Sequence, residues 1–362
     1  MLQSHHSEKR TTPEAVRRGR PLELRAPAHP SSDPRHALRT PPVVSLIGGT
    51  PLVRLSRVVE GLSPDVAVYA KLEGLNPGGS VKDRAALFIV REALASGALT
   101  PEKTLLDATS GNTGIAYAML GAAMGFRVQL ALPADASPER MQILRAYGAR
   151  LTLTDPAAGT AGARELARNL AAGQPDRYFY ADQYNNPANP LAHYATTGPE
   201  IWRGTRGGIT HFVAGLGTGG TMTGTGGCLR GENPAVRLVG VQPDGPRHGI
   251  SGLKHLATDD VPGIYDPHLV DRIVEVSTGE AQAMASRLAR REGLFVGVSA
   301  GAAVVAALRV ARGLGRGTMV VLLPDGGFKY ASAPFWAGAP CGANRAPAPS
   351  PSPDRNAPST EP

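Results

Sequence analysis

Residues 128–154, VQLALPADASPERMQILRAYGARLTLT, decide how this chain folds. The apolar run 128–132 reads as a strand. Ser137-Pro138-Glu139 then supplies an N-cap, a proline at the first helical position and an acidic first turn. Met141, Leu144 and Tyr147 recur at three-residue spacing, Gly148 stands where a helix C-terminus is capped, and 151–154 resumes a strand. Outward from this strand-helix-strand unit the same grammar recurs, with strands expected at 105–108, 211–214, 237–241 and 318–323. Ser277 and Glu280 have capping-box spacing and open a helix expected to run to about Arg291. Repeated units of this kind imply an α/β fold of mostly parallel sheets covered by helices, with ligands at the carboxyl ends of the strands.

The chain has 362 residues, 42% hydrophobic and 5% aromatic, enough for two α/β domains with cores of their own. Two cysteines, Cys228 and Cys341, exclude a disulfide framework, a four-cysteine zinc site and a CxxC redox pair, and suit a reducing, cytoplasmic setting. No apolar run reaches membrane-span length and the start lacks the apolar core of a signal peptide, so neither insertion nor secretion is expected. The net charge is +8, but residues 1–42 hold +4 of it and the remaining +4 is spread over 43–336. Residues 1–42 and 337–362 carry 14 of the 32 prolines without apolar periodicity, and read as a disordered basic arm and a disordered Pro/Ala/Ser tail. The arm contains Arg18-Gly19-Arg20-Pro21, a minor-groove-binding tetrapeptide, but four residues in an Arg-rich arm fit a solvated extension better than a nucleic-acid site. His5 and His6 lack companion ligands, and no metal is expected. Turn residues at 185–190 divide the core into an N-terminal domain, 43–186, and a C-terminal domain, 187–336, leaving open that the first strands cross between them.

Three glycine-rich turns carry the candidate chemistry. In the first, PGGSVKDR at 77–84, Lys82 follows a backbone tight enough to need two glycines, and suits a phosphate clamp, a Schiff-base nucleophile or a solvated surface position. The second, TSGNTG, holds Thr109, Ser110, Gly111, Asn112 and Thr113 before a helix start. Converging N–H groups there suit a carboxylate, and its four polar side chains exceed what one helix cap requires. The third, GLGTGGT at 215–221, formally satisfies the dinucleotide fingerprint, with Asp244 as a poorly placed ribose acid. Thr218 and Thr221 suit a terminal phosphate monoester better.

Together Lys82 in PGGSVKDR, TSGNTG at 109–114, GTGGT at 217–221 and GVSAGAA at 297–303 resemble the cysteine synthase and cystathionine β-synthase family, fold type II pyridoxal-phosphate enzymes. The likeness runs from IGGTPLVRL at 47 to PDGGFKY ending at 330. It implies two three-layer α/β/α domains of the tryptophan synthase β type, a homodimer, and pyridoxal 5'-phosphate carried on Lys82, which also takes the substrate Cα proton. Asn112 would bond the ring oxygen, Gly217, Thr218, Gly219, Gly220 and Thr221 would cradle the phosphate, and Ser299 would face the pyridine nitrogen. Thr109, Ser110, Gly111, Thr113 and Gln183 would hold the substrate carboxylate. The implied reaction is β-replacement on an activated L-serine, O-acetylserine favoured, with sulfide adding to an aminoacrylate in a ping-pong sequence to give L-cysteine.

SVKDRAA at 80–86 departs from the SFK-x-RGA of dehydratase and racemase relatives, and with no Cys before 228 a haem-bearing cystathionine synthase is excluded. A haem-free cystathionine β-synthase stays open. Segment 247–265 is similar to the branch that includes O-phosphoserine enzymes; Lys254, with Arg247 and His248, could pair with a dianionic leaving group or could be ordinary surface cations. Asp182 and Tyr184 beside Gln183 depart from the Gln and Phe usual in acetylserine enzymes. From other classes, a nicotinamide-dependent dehydrogenase using GLGTGG requires no chromophore on Lys82, and a catalytically silent relative requires a damaged site, whereas every matched motif is intact.

Overall fold

The computed structural model describes residues 41–109 and 111–337. Ser110, the arm with Arg18–Pro21, and the tail with Cys341 lie outside them. Among the described residues ten strands form two sheets. The smaller has the order β5-β4-β3-β6, with β3 (Thr104–Ala108), β4 (Arg127–Pro133), β5 (Arg150–Thr154) and β6 (Tyr178–Tyr180) all parallel. The larger has the order β1-β2-β10-β7-β8-β9. Its strands are β1 (Leu52–Arg54), β2 (Val66–Leu72), β7 (His211–Gly215), β8 (Arg237–Pro243), β9 (Arg272–Val276) and β10 (Gly317–Leu323), and only the β1–β2 pair is antiparallel.

Alternation along the strands shows that each sheet is covered on both faces. In the smaller sheet Leu105, Val128, Leu130 and Leu132 pack with helices Lys82–Ala95 and Asn112–Met124, while Leu106, Ala108 and Ala131 pack with helix Gly159–Gly173. In the larger, Met319, Val321 and Leu323 face helices Thr278–Glu292 and Val298–Ala311; Val320 and Leu322 face helix Gly220–Glu232. Near-continuous apolar strands such as β10 follow from that double burial. This is the expected α/β architecture, three layers built twice.

Local chemistry fixes the element ends. Helix Pro138–Ala146 starts on Ser137 and stops at Tyr147. Gly148, at φ +82°, donates to Arg145 O while Ala149 donates to Leu144 O, the paired bonds of a Schellman motif. Ser277 and Glu280 form a complete capping box ahead of Thr278–Glu292. The chain enters the larger sheet early, because β2 pairs in parallel with β10 from Val66↔Gly317 to Leu72↔Leu323. It then builds the smaller sheet and returns through a helical stretch, Ala188–Ala192, a π-helical turn His193–Thr197, and Gly198–Gly204. Both sheets therefore send their carboxyl ends, β3, β7 and β10 among them, toward one cleft.

Candidate active site

The cleft encloses about 680 Å³ and is lined from both sheets. Lys82, Thr109, Gly111, Asn112, Thr113, Gln183, Gly217, Thr218, Gly219, Thr221, Lys254 and Ser299 all line it. Gly220 begins the helix behind the phosphate-type turn, and Arg247 is exposed outside the cleft. Asp244, the acid a dinucleotide would need, is also exposed and does not line it.

Lys82 opens helix Lys82–Ala95 after a turn held by its own carboxylate. Gly78 N donates to Asp83 Oδ2 at 2.5 Å, and a Cβ on Gly78 would stand 2.6 Å from Asp83 Oδ1, so no larger residue fits. Val81 N donates to Pro324 O at 2.8 Å, tying the turn to the end of β10. Among the described residues the Lys82 amine makes no hydrogen bond or ion pair. Burial holds its pKa below the ordinary lysine value, partly offset by the charge of Asp325. A desolvated amine without a partner is an activated nucleophile.

Opposite it, β7 ends at Gly215 and the turn runs into helix Gly220–Glu232, with Gly219 at φ +83° as the N-cap. The first N–H groups of that helix point to the turn, where an anion is favoured. Thr218 Oγ1 accepts from Asn189 Nδ2 at 3.2 Å, and Thr221 Oγ1 lies 3.3 Å from His193 Nε2. His193 is buried, with its other nitrogen 3.0 Å from Thr197 Oγ1. Burial first, then the charges of Arg84 and Lys82, pull its pKa well below the usual value, so the ring is neutral. The sequence reading missed Asn189, which it counts among the turn residues of the 185–190 boundary, and His193, which follows that stretch; the signal was two polar side chains within a helical segment.

Helix Asn112–Met124 begins at the remaining turn, with no side chain capping its N-terminus. Thr113 Oγ1 donates to Gln183 Oε1 at 2.7 Å, joining this turn to the segment after β6. Ser299, in the first turn of helix Val298–Ala311, lines the cleft with a hydroxyl that makes no hydrogen bond among the described residues. Tyr184 stands between two cations, with the Arg164 guanidinium 4.4 Å and the Lys254 ammonium 5.4 Å from its ring centroid. Among the described residues no cluster of three or more His, Cys, Asp or Glu side chains is arranged for a metal ion.

Beneath the TSGNTG turn lies Asp107, buried at the end of β3, with Oδ1 accepting from Ala108 N at 2.8 Å. Burial raises its pKa to about 7, against backbone donation from Ala108 and Gln183; Asp182 adds to the rise. The folded state therefore retains a proton that the unfolded chain has already released, so this group's contribution falls as pH rises from about 4 to about 7. Asp107→Asn removes the titration. Urea unfolding at pH 4.5 and pH 8 is expected to show the variant gaining on the wild type by about 1–4 kcal/mol between the two. A constant cost of the amide cancels in that difference, and a pH-independent difference would refute the assignment.

A family described as pyridoxal-phosphate dependent enzymes matches residues 43–325. The chain is 51% identical over 293 residues to a cysteine synthase of Aquifex aeolicus, covering 80% of this chain and 90% of the relative. It is 47% identical to cysteine synthase B of Salmonella typhimurium, covering 79% and 93%. The crystal structure of cysteine synthase (OASS) from Entamoeba histolytica superposes with a TM-score of 0.79 at 35% identity, covering 83% of this chain and 92% of that one. The chain belongs to the pyridoxal-phosphate-dependent enzymes and, among them, to the cysteine synthase family. Its cofactor is pyridoxal phosphate. The cleft fits that group: a desolvated amine and a hydroxyl, neither with a partner among the described residues, face one space with a helix N-terminus that carries two threonines.

Proposed function

We propose that this enzyme forms L-cysteine from an activated L-serine and sulfide by β-replacement, with O-acetylserine as the donor. The observation that carries the reading is the desolvated Lys82 amine, without a partner among the described residues, sharing one cleft with the Thr218/Thr221 helix start. Pyridoxal phosphate, when bound, stabilises negative charge at the substrate α-carbon and so lets the β-substituent leave.

The chain's own residues do the rest. Lys82 carries the cofactor and takes the Cα proton, a task its lowered proton affinity suits. Gly217, Thr218, Gly219, Gly220 and Thr221 hold the phosphate with backbone N–H groups and hydroxyls, and Asn189 and His193 fix the two hydroxyls. Ser299 meets the pyridine nitrogen with a neutral hydroxyl, which does not hold that nitrogen protonated and so favours β-elimination over transamination. Thr109, Ser110, Gly111 and Thr113 hold the substrate carboxylate at the start of helix Asn112–Met124, with Gln183 oriented by Thr113. Closure of this turn over the carboxylate keeps water from the reacting atoms. No described helix is long and apolar enough to cross a membrane; we further propose a cytoplasmic homodimer without nucleic-acid function.

A second reading, O-phosphoserine as donor, is favoured by the cations at the cleft: Lys254, Arg164 and Arg140 all line it, although Asp259 and Asp260 stand among them. Cysteine formation with sulfide is the test, O-acetylserine against O-phosphoserine. O-Acetylserine is expected to be turned over faster, and Lys254→Met to change that rate less than about threefold. Preference for O-phosphoserine, with a loss of about 10–100-fold in kcat/KM in Lys254→Met for that donor alone, would overturn the acetyl assignment.

A further inference from the structure

Asn112 stands between two opposite charges from one segment of the chain. Its Oδ1 accepts from Lys329 Nζ at 2.6 Å, and its Nδ2 donates to Asp325 Oδ2 at 2.8 Å. An ammonium has only donors and a carboxylate only acceptors, so the amide fits this gap one way round. Flipping it would set the ammonium against NH₂ and the carboxylate against the carbonyl, losing two charge-assisted bonds. One Nδ2 hydrogen goes to Asp325. The second is the donor left to face the cleft that Asn112 lines.

Both anchors are themselves held. Lys329 Nζ also donates to Gly79 O at 3.0 Å, in the turn leading to Lys82. Asp325, 1% exposed, accepts from Tyr330 Oη at 2.6 Å, bridges Ser80 through its backbone, and accepts from Gly297 N at its carbonyl at 3.2 Å. One short segment after β10 thus touches the Lys82 turn, the Asn112 turn and the N-cap of the Ser299 helix. None of its residues figured in the sequence reading of the site.

We propose that Asp325 and Lys329 are positioning residues that lock Asn112 as a hydrogen-bond donor toward an anionic oxygen in the cleft. The inference rests on the reading above, in which that oxygen belongs to the cofactor ring. A fixed donor stabilises the oxygen as its anion over its protonated form. A merely structural role for the pair would change stability and leave that balance untouched.

The test compares purified holoenzymes of the wild type, Lys329→Met, Lys329→Arg and Asp325→Asn. Each is examined by visible absorption, thermal unfolding and mass spectrometry after borohydride reduction. Lys329→Met and Asp325→Asn are expected to move absorbance from the long-wavelength band of the oxygen anion to the shorter-wavelength band of its protonated form. The band ratio should fall at least about twofold. Lys329→Arg, which keeps a cation, is expected to stay near the wild-type ratio. Unchanged ratios in both Lys329→Met and Asp325→Asn, with Lys82 labelled, would overturn the inference alone. A wild type with no cofactor on Lys82 would overturn the reading beneath it. Should Lys329→Met fail to fold, Asp325→Asn, which keeps size and shape, decides the matter by the same ratio.

Discussion

Lys82→Ala is expected to lower kcat for cysteine formation by at least about 10⁴-fold and to yield a protein without visible absorption. The size of the effect follows from the double duty proposed for one amine, cofactor attachment and proton transfer, neither of which a methyl group can perform. The fold should survive. The Lys82 amine makes no hydrogen bond or ion pair among the described residues, and its burial costs the folded state part of its proton affinity. The alanine variant should therefore unfold at or above the wild-type urea midpoint when both are free of cofactor. Lys82→Arg separates charge from nucleophilicity: it restores a cation, and activity is expected to stay at the alanine level. Residual turnover within about tenfold of wild type in either variant would remove Lys82 from the chemistry.

The largest loss of stability is expected two residues further on. Arg84 is 1% exposed and binds two carboxylates at once: Nε and Nη2 reach Glu73 at 2.7 and 2.8 Å, while Nη1 and Nη2 each reach Glu200 at 2.7 Å. Lys71 completes the cluster, 2.6 Å from Glu200. Asn76 and Thr50 donate to Glu73, and Gly49 N donates to Glu200 at 2.9 Å, so the network gathers the segment before β1, β2, the Lys82 helix and helix Gly198–Gly204. Arg84→Met keeps the length and leaves one buried and one partly buried carboxylate with one cation. The expected loss is about 3–5 kcal/mol, read as a lower urea midpoint at pH 7. Burial alone would raise the Glu200 pKa, but hydrogen bonds and charge from Arg84 and Lys71 hold it at about 2. A depressed carboxyl stabilises the fold above its unfolded value and loses that contribution as pH falls through the folded value. The difference between wild type and variant should therefore shrink between about pH 4.5 and pH 2. A midpoint within error of wild type at pH 7 would mean that the network contributes nothing net.

How much of this was legible in the sequence depends on the range of the interaction. Strand-helix-strand grammar is local, and it placed β3, β4, β5, β7, β8 and β10 because each carries a short apolar run bounded by turn residues. β1 and β6 have three residues each, too few for a period, and the exposed face of β9 dilutes its alternation. β2 carried a readable alternation in Val66, Val68 and Ala70, but nothing near it in sequence says that it pairs with β10, some 250 residues away. The glycine-rich turns were visible because close backbone approach demands glycine locally. Their supports were not. Asn189, His193, Asp325 and Lys329 act on Thr218, Thr221 and Asn112 across long sequence separations, and only the folded chain brings them together.

The central claim is covalent attachment at one residue. Borohydride reduction of the purified holoenzyme, proteolysis and mass spectrometry are expected to place a pyridoxyl group on the peptide containing Lys82 and on no other lysine. A reduced pyridoxyl group on Lys254 or Lys329, or none on a folded protein supplied with pyridoxal phosphate, would contradict the account.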